Sequence, residues 1–242
     1  SAAPDVQPRA AWRHREVSVA TLQTASRARW FFAHQSIGGN VLKGVKALYK
    51  ANSLPTPAQV SLDQNGAIPS GGGFIAETHI GRNGHPFEKL ADFDATLRAG
   101  LVGNVDVAVL KFCYADIRSG RVDVDQLFQE YRRIISGLER DYPKVTFIYA
   151  TAALKADTPA DNVARSRFNG LVRAEYAKSG RLWDLAAIES TTPDGEQVGG
   201  IFEGQTYEAL YPGFTRDGGH LYDIGTEVAA APLLELIAKA LR

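Results

Sequence analysis

The chain has 242 residues, 45% of them hydrophobic and 22% charged, with 27 basic and 27 acidic side chains. Its length and composition fit one large α/β domain or two small ones, and the balanced charge argues against a nucleic-acid partner, which would require a basic surface. A single cysteine, Cys113, excludes an intramolecular disulfide and a cysteine metal cluster, and no apolar run approaches the roughly 20 residues needed to span a bilayer.

Residues 1–28 are mixed and polar, with Pro4, Pro8 and Arg13-His14-Arg15, and read as an irregular arm ending in a short helix over 17–28. The chain opens on Ser1-Ala2-Ala3-Pro4 and contains no methionine, so a secreted or periplasmic product trimmed after export is expected. A domain over 29–242 follows. Trp30-Phe31-Phe32-Ala33 is a short apolar run that predicts a buried strand, and Val41, Leu42, Val45, Leu48 and Tyr49 recur at helical spacing up to about residue 51. Residues 52–73, with three prolines and Gly71-Gly72-Gly73, read as a long loop.

A second strand is expected over 74–80, a turn over 81–86 and a helix over 87–98 with Leu90, Phe93 and Leu97 on one face. The Val-rich stretch 105–112 is the clearest buried strand. An amphipathic helix over 123–141 follows, with Leu127, Tyr131, Ile134 and Leu138 as its stripe and Asp123 or Asp125 as cap. Strands over 145–150 and 181–188 flank a helix over 161–178. Residues 189–219 read as a long Gly/Pro/Asp-rich loop, and 226–241 as a final helix that Pro232 kinks or restarts. Strands alternating with helices predict a parallel sheet of about five strands covered on both faces, an α/β three-layer architecture.

Two motifs carry chemistry. Ser36 follows the first strand and precedes Gly38-Gly39-Asn40 and a helix. A serine at such a turn is either a helix N-cap or a nucleophile presented at the carboxyl edge of the sheet. Before the last helix stands Asp217-Gly218-Gly219-His220. A serine hydroxyl needs a base, histidine is suited to that role, and a carboxylate on its other nitrogen fixes the tautomer. The same four residues also read as a plain turn opened by Asp. In a doubly wound sheet the loops at one edge gather, so Ser36 and His220 can meet there.

In this arrangement the chain resembles the SGNH (GDSL-like) hydrolases. The resemblance implies a flavodoxin-like three-layer fold, a nucleophile at Ser36, an oxyanion-hole glycine after the second strand at Gly81, and a base and acid at His220 and Asp217. Two departures stand out: His34-Gln35 replaces the Gly-Asp before the serine, and Lys111-Phe112-Cys113-Tyr114-Ala115-Asp116 carries no asparagine after the third strand. Asn83, Tyr114, the backbone near Cys113 and, more weakly, Asn40 are the candidate substitutes for that donor. The implied activity is removal of small acyl groups, O-acetyl above all, from a carbohydrate or small-molecule ester, with no cofactor. An O-acyltransferase and a non-catalytic carbohydrate-binding protein are the alternatives.

His34, His79 and His85 fall near the expected site, so a zinc site is conceivable, but the spacing matches no metal signature and no metal is expected. His34 reads better as a hydrogen-bonding neighbour of the serine loop. Cys113 is either a second candidate nucleophile or an inert buried thiol. Tyr114 and Asp116 are substrate contacts or a turn, and Asp184 a partner for a neighbouring loop. Phe202, Tyr207, Tyr211 and Phe214 either stack on a sugar ring or pack the 189–219 loop against the domain.

Overall fold

Strands buried on both faces need helices on both sides, and the computed structural model, which describes residues 17–242, has that layering. The expected arm, with Ser1-Ala2-Ala3-Pro4 and Arg13-His14-Arg15, lies outside the described residues. The main sheet has six parallel strands in the order β2-β3-β1-β4-β5-β6. They are β1 (Arg29–His34), β2 (Ala58–Ser61), β3 (Phe74–His79), β4 (Val107–Leu110), β5 (Thr146–Ala150) and β6 (Leu182–Trp183).

Side chains alternate along each strand, so Trp30 and Phe32 enter one core and Phe31 and Ala33 the other. The first core is closed by α1 (Val19–Ser26), α2 (Ser36–Ala51) and α7 (Ile224–Ala240), with α6 (Leu185–Glu189) at its edge. The second is closed by α3 (Pro86–Arg98), α4 (Val124–Asp141) and α5 (Pro159–Tyr176). Each fully buried Leu, Ile or Phe contributes roughly 1.5–3 kcal/mol. Leu127, Tyr131, Ile134 and Leu138 of α4 are all buried as the periodicity predicts, and Asp123 caps the helix by accepting from Gln126 N–H at 3.0 Å.

Four expectations are corrected. The sheet has six strands rather than about five, because the 52–73 loop contributes the edge strand β2, paired in register with β3 from Ala58↔Phe74 to Ser61↔Glu77. The strand expected over 181–188 stops at Trp183, because Asp184 caps a helix there by accepting from Ala187 N–H at 3.1 Å. The 189–219 loop holds an antiparallel hairpin, β7 (Gly199–Phe202) and β8 (Gln205–Glu208). Glu203 and Gly204, at φ 48° and 77°, form the two-residue turn whose twist suits a hairpin. Pro232 does not restart the last helix: α7 continues through it between well-buried Ala229–Ala231 and Leu233–Leu234, so tertiary packing carries the helix past the lost hydrogen bond.

One fold feature positions the site. A Cβ on Gly44 would lie 2.0 Å from the Thr226 carbonyl oxygen, so α2 and α7 approach backbone to backbone. The helix that follows Ser36 is thereby held against the helix that follows His220.

A buried carboxyl sets a pH dependence on stability. Glu189 is 1% exposed; its Oε1 accepts from Leu154 N–H at 3.0 Å, and its Oε2 has no partner among the described residues. Burial pushes this carboxyl up to about 8. An unfolded glutamate releases its proton near pH 4, so between about pH 4 and 8 the unfolded chain binds fewer protons and stability falls as pH rises. Glu189→Gln keeps the acceptor for Leu154, so its stability relative to wild type is expected to improve from pH 5 to pH 8 by a few kcal/mol, at about 1.4 kcal/mol per pH unit. Urea denaturation at both values measures this, and an unchanged difference contradicts it.

Candidate active site

β1 lies between β3 and β4, so the chain leaves β1 toward one side of the sheet and later returns on the other. The crevice over the carboxyl end of such a strand is where doubly wound folds bind ligands. β1 ends at His34, Gln35 is extended at φ −129°, ψ −152°, and Ser36 is the first residue of α2. Gln35 makes no side-chain cap; its Nε2 donates instead to the carbonyls of Ile80 at 2.8 Å and Gly81 at 3.3 Å. Gly38 follows because a Cβ there would lie 2.1 Å from the His34 ring.

Ser36 caps nothing. Its hydroxyl donates to His220 Nε2 at 3.0 Å, across 184 positions of sequence. His220 Nδ1 donates to Asp217 Oδ2 at 2.6 Å, which leaves Nε2 as the acceptor that the serine proton meets. Asp217 Oδ1 accepts from the backbone N–H groups of His220 at 2.9 Å and Gly219 at 3.0 Å, and from the Thr215 hydroxyl at 3.3 Å. The His220 N–H, then the His220 ring, and the Gly219 N–H hold the Asp217 carboxyl well below the usual carboxylate range. Gly218, at φ 86°, supplies the left-handed turn that lets the three residues fold back. Asn40, one turn past Ser36, accepts from Leu221 N–H at 3.1 Å through its Oδ1 and ties α2 to the histidine loop.

Tyr114 meets the His220 ring edge-on, with centroids 6.1 Å apart, and a Cβ on Gly219 would lie 2.8 Å from the Tyr114 ring. Burial pushes the Tyr114 hydroxyl up. The 81–85 loop is the second wall. Gly81 sits at φ 53°, a conformation that favours glycine, and its N–H has no partner among the described residues. Asn83 is exposed, and its Oδ1 accepts from Lys89 Nζ at 2.8 Å. Lys89 also donates to Asp116 Oδ2 at 2.7 Å, and Asp116 accepts from Gly84 N–H at 2.9 Å and Cys113 N–H at 2.7 Å. A cleft of about 650 Å³ opens beside His220, lined by Asn40, Lys43, Arg216, Tyr222 and Asp223 among others.

Several sequence candidates fall elsewhere. Cys113 is buried at 1% exposure, and the imidazole it would need is already hydrogen-bonded to the Ser36 hydroxyl. Of the three histidines considered for zinc, His34 and His79 lie with ring centroids 5.1 Å apart, and each is already paired with a carboxylate. His34, 1% exposed, binds Gln35 O at 2.6 Å and Glu77 Oε2 at 2.7 Å and so is the neighbour of the serine loop expected of it. His79 pairs with Asp63 at 2.7 Å, and His85 is the exposed N-cap residue of α3. Asp63, Glu77 and His79 do place one donor atom each within 4.8 Å of one another, the arrangement among the described residues that can hold a metal ion. Asp63 already accepts from Thr78, the His79 N–H and the His79 ring. Phe214 is buried and Tyr211 packs edge-on against it, so these two rings serve the loop rather than a sugar. Asp184 is held by Arg173 at 2.7 Å and accepts from Thr151.

Gln35, Glu77, Lys89 and the role of Asp116 escape the sequence reading. Lys89 left one signal: it stands one turn before Phe93, on the apolar stripe of its helix, where a charge is out of place.

No protein-family model matches this sequence, and no curated protein is similar enough to count as a relative. Solved structures share the fold. A GDSL-like lipase of Bacteroides thetaiotaomicron has TM-score 0.56 at 14% identity, over 88% of this chain and 89% of that one. A lipase/acylhydrolase of Enterococcus faecalis has TM-score 0.51 at 14% identity, over 88% and 96%. An acetylxylan esterase of Geobacillus stearothermophilus has TM-score 0.51 at 12% identity, over 88% and 94%. The six-stranded sheet with helices on both faces is the three-layer fold of the SGNH (GDSL-like) hydrolases.

Proposed function

We propose that the protein is a serine esterase that removes small acyl groups, O-acetyl above all, from a carbohydrate. The carrying observation is the chain Ser36 Oγ–His220 Nε2 at 3.0 Å and His220 Nδ1–Asp217 Oδ2 at 2.6 Å. Both lie within the reach that proton transfer needs. The likeness to lipase, acylhydrolase and acetylxylan esterase folds supports ester chemistry and a sugar ester.

In this reading Ser36 Oγ attacks the acyl carbon while His220 Nε2 takes its proton, and Asp217 stabilises the imidazolium. The carbonyl oxygen becomes an oxyanion at the N-terminus of α2. There the Ser36 N–H lacks an intrahelical acceptor, and the helix dipole favours negative charge. The Gly81 N–H and Asn83 Nδ2 complete the hole, with Asn83 in place of the missing asparagine after β4. Asn40, already bound to Leu221, serves the histidine loop instead, and Tyr114 backs the imidazole. The tetrahedral intermediate collapses as His220 returns the proton to the leaving alcohol. Water, activated by the same imidazole, then releases the acyl group.

Turnover of p-nitrophenyl acetate by the purified protein, with release of acetate, tests the reading; a rate equal to the buffer blank counts against it. Asn83→Ala is expected to lower kcat by about 10²–10³-fold, the typical effect of losing one oxyanion donor. KM should change little, because the donor acts on charge that develops only in the transition state. Steady-state kinetics separates the two constants, and an unchanged kcat removes Asn83 from the hole.

A further inference from the structure

We propose that the buried Lys89–Asp116 ion pair is the positioning device of the oxyanion site: it turns the Asn83 amide so that Nδ2 faces the substrate, and it locks the 81–85 loop to the turn after β4. This rests on the hydrolase reading above and assigns roles that reading does not contain.

The two side chains are 2.7 Å apart, both with 0% side-chain exposure. An ammonium has donors and no acceptor, so the Asn83 atom 2.8 Å from Lys89 Nζ must be Oδ1. The opposite rotamer would set an NH₂ group against an NH₃⁺ group. The amide NH₂ is therefore directed away from Lys89, on the exposed side of a loop that Gln35, the neighbour of Ser36, holds by two hydrogen bonds. Asp116 spans the gap between loops, accepting from Gly84 N–H with Oδ1 and from Cys113 N–H with Oδ2. Gly81 rests on the same lysine: a Cβ there would come within 2.9 Å of Lys89 Cγ.

Stability alone is a poor reason for such a pair. Two charges withdrawn from water recover little beyond what apolar side chains of equal volume would provide. The pair gives what an apolar pair cannot: a fixed orientation for one amide and one bridge between two loops. Lys89 and Asp116 touch no reacting atom; they act through Asn83 and are positioning residues.

The test is a double-mutant cycle on p-nitrophenyl acetate hydrolysis with kcat and KM read separately. Lys89→Met with Asp116→Asn removes both charges together, so neither is left buried alone, and Asn83→Ala removes the amide. The charge-free pair is expected to lower kcat about 10- to 100-fold, below the full effect of one lost oxyanion donor, with KM within about threefold of wild type. In the Asn83→Ala background the same two substitutions should cost no more than about threefold further, because the group they orient is gone. Where the methionine variant does not fold, Lys89→Gln with Asp116→Asn is read in the same way. A wild-type kcat in the charge-free variant overturns the proposal. So do losses that multiply in the triple variant, the result of a purely structural role. A wild-type protein without turnover overturns the hydrolase reading and this inference together, whereas an active wild type with multiplying losses overturns this inference alone.

Discussion

Ser36→Ala is expected to lower kcat on p-nitrophenyl acetate by about 10⁴-fold or more, the scale on which triad enzymes lose rate when the nucleophile is removed. The same substitution should leave stability within about 0.5 kcal/mol of wild type, because the hydroxyl makes no cap and faces only His220. Were Ser36 instead a helix cap, its loss would cost about 1 kcal/mol and leave any activity intact. Kinetics and thermal unfolding on the same preparation therefore decide between the two roles. A variant that retains activity and unfolds earlier contradicts the mechanism.

The second large effect is expected from Asp217→Asn, a loss in kcat of about 10⁴-fold. The substitution preserves the loop: the amide oxygen can still accept from the backbone N–H groups of Gly219 and His220, now at 3.0 and 2.9 Å. What changes is the group facing His220 Nδ1, where an NH₂ donor replaces a carboxylate oxygen. The ring must then accept at Nδ1 and carry its proton on Nε2, directed at the Ser36 hydroxyl, and the base is lost. Because three donors hold the wild-type carboxyl well below the usual carboxylate range, it is ionised at every pH from weakly acid upward. Steady-state kinetics checks the loss, and circular dichroism shows whether the fold is kept. A decrease of less than about tenfold means that Asp217 does not set the tautomer.

Ser36, Asp217 and His220, the proposed triad, were legible because each sits in a local pattern that survives folding. Trp30–Ala33 is apolar on both faces, so it had to be a buried strand, and the residue after it had to emerge at a sheet edge. Asp217 and His220 are close in sequence, so one turn joins them whatever else the chain does. Their meeting with Ser36 needed only the parallel order of strands that alternating elements imply. The supporting shell was not legible for the opposite reason. Asp63 and Glu77 come from separate elements, and only the β2-β3-β1 pairing brings them beside His34, whose own place next to the serine loop was readable from its position before Gln35 and Ser36. β2 is four residues at a sheet edge, too short and too polar to announce itself among prolines. β6 stops where Asp184 turns its carboxylate to its own backbone, a local bond that competes with the strand. The reading of four loop aromatics as a possible sugar platform failed at Phe214, because an aromatic in a long loop is as apt to anchor that loop in the core as to face a ligand.

In the proposed mechanism the Ser36 hydroxyl is the activated nucleophile. Treating the native protein with a fluorophosphonate and locating the adduct by peptide mass spectrometry tests it most directly. One equivalent on the peptide carrying Ser36, absent from the Asp217→Asn variant on the same timescale, is the predicted result. No adduct, or an adduct on any other residue, would contradict the account.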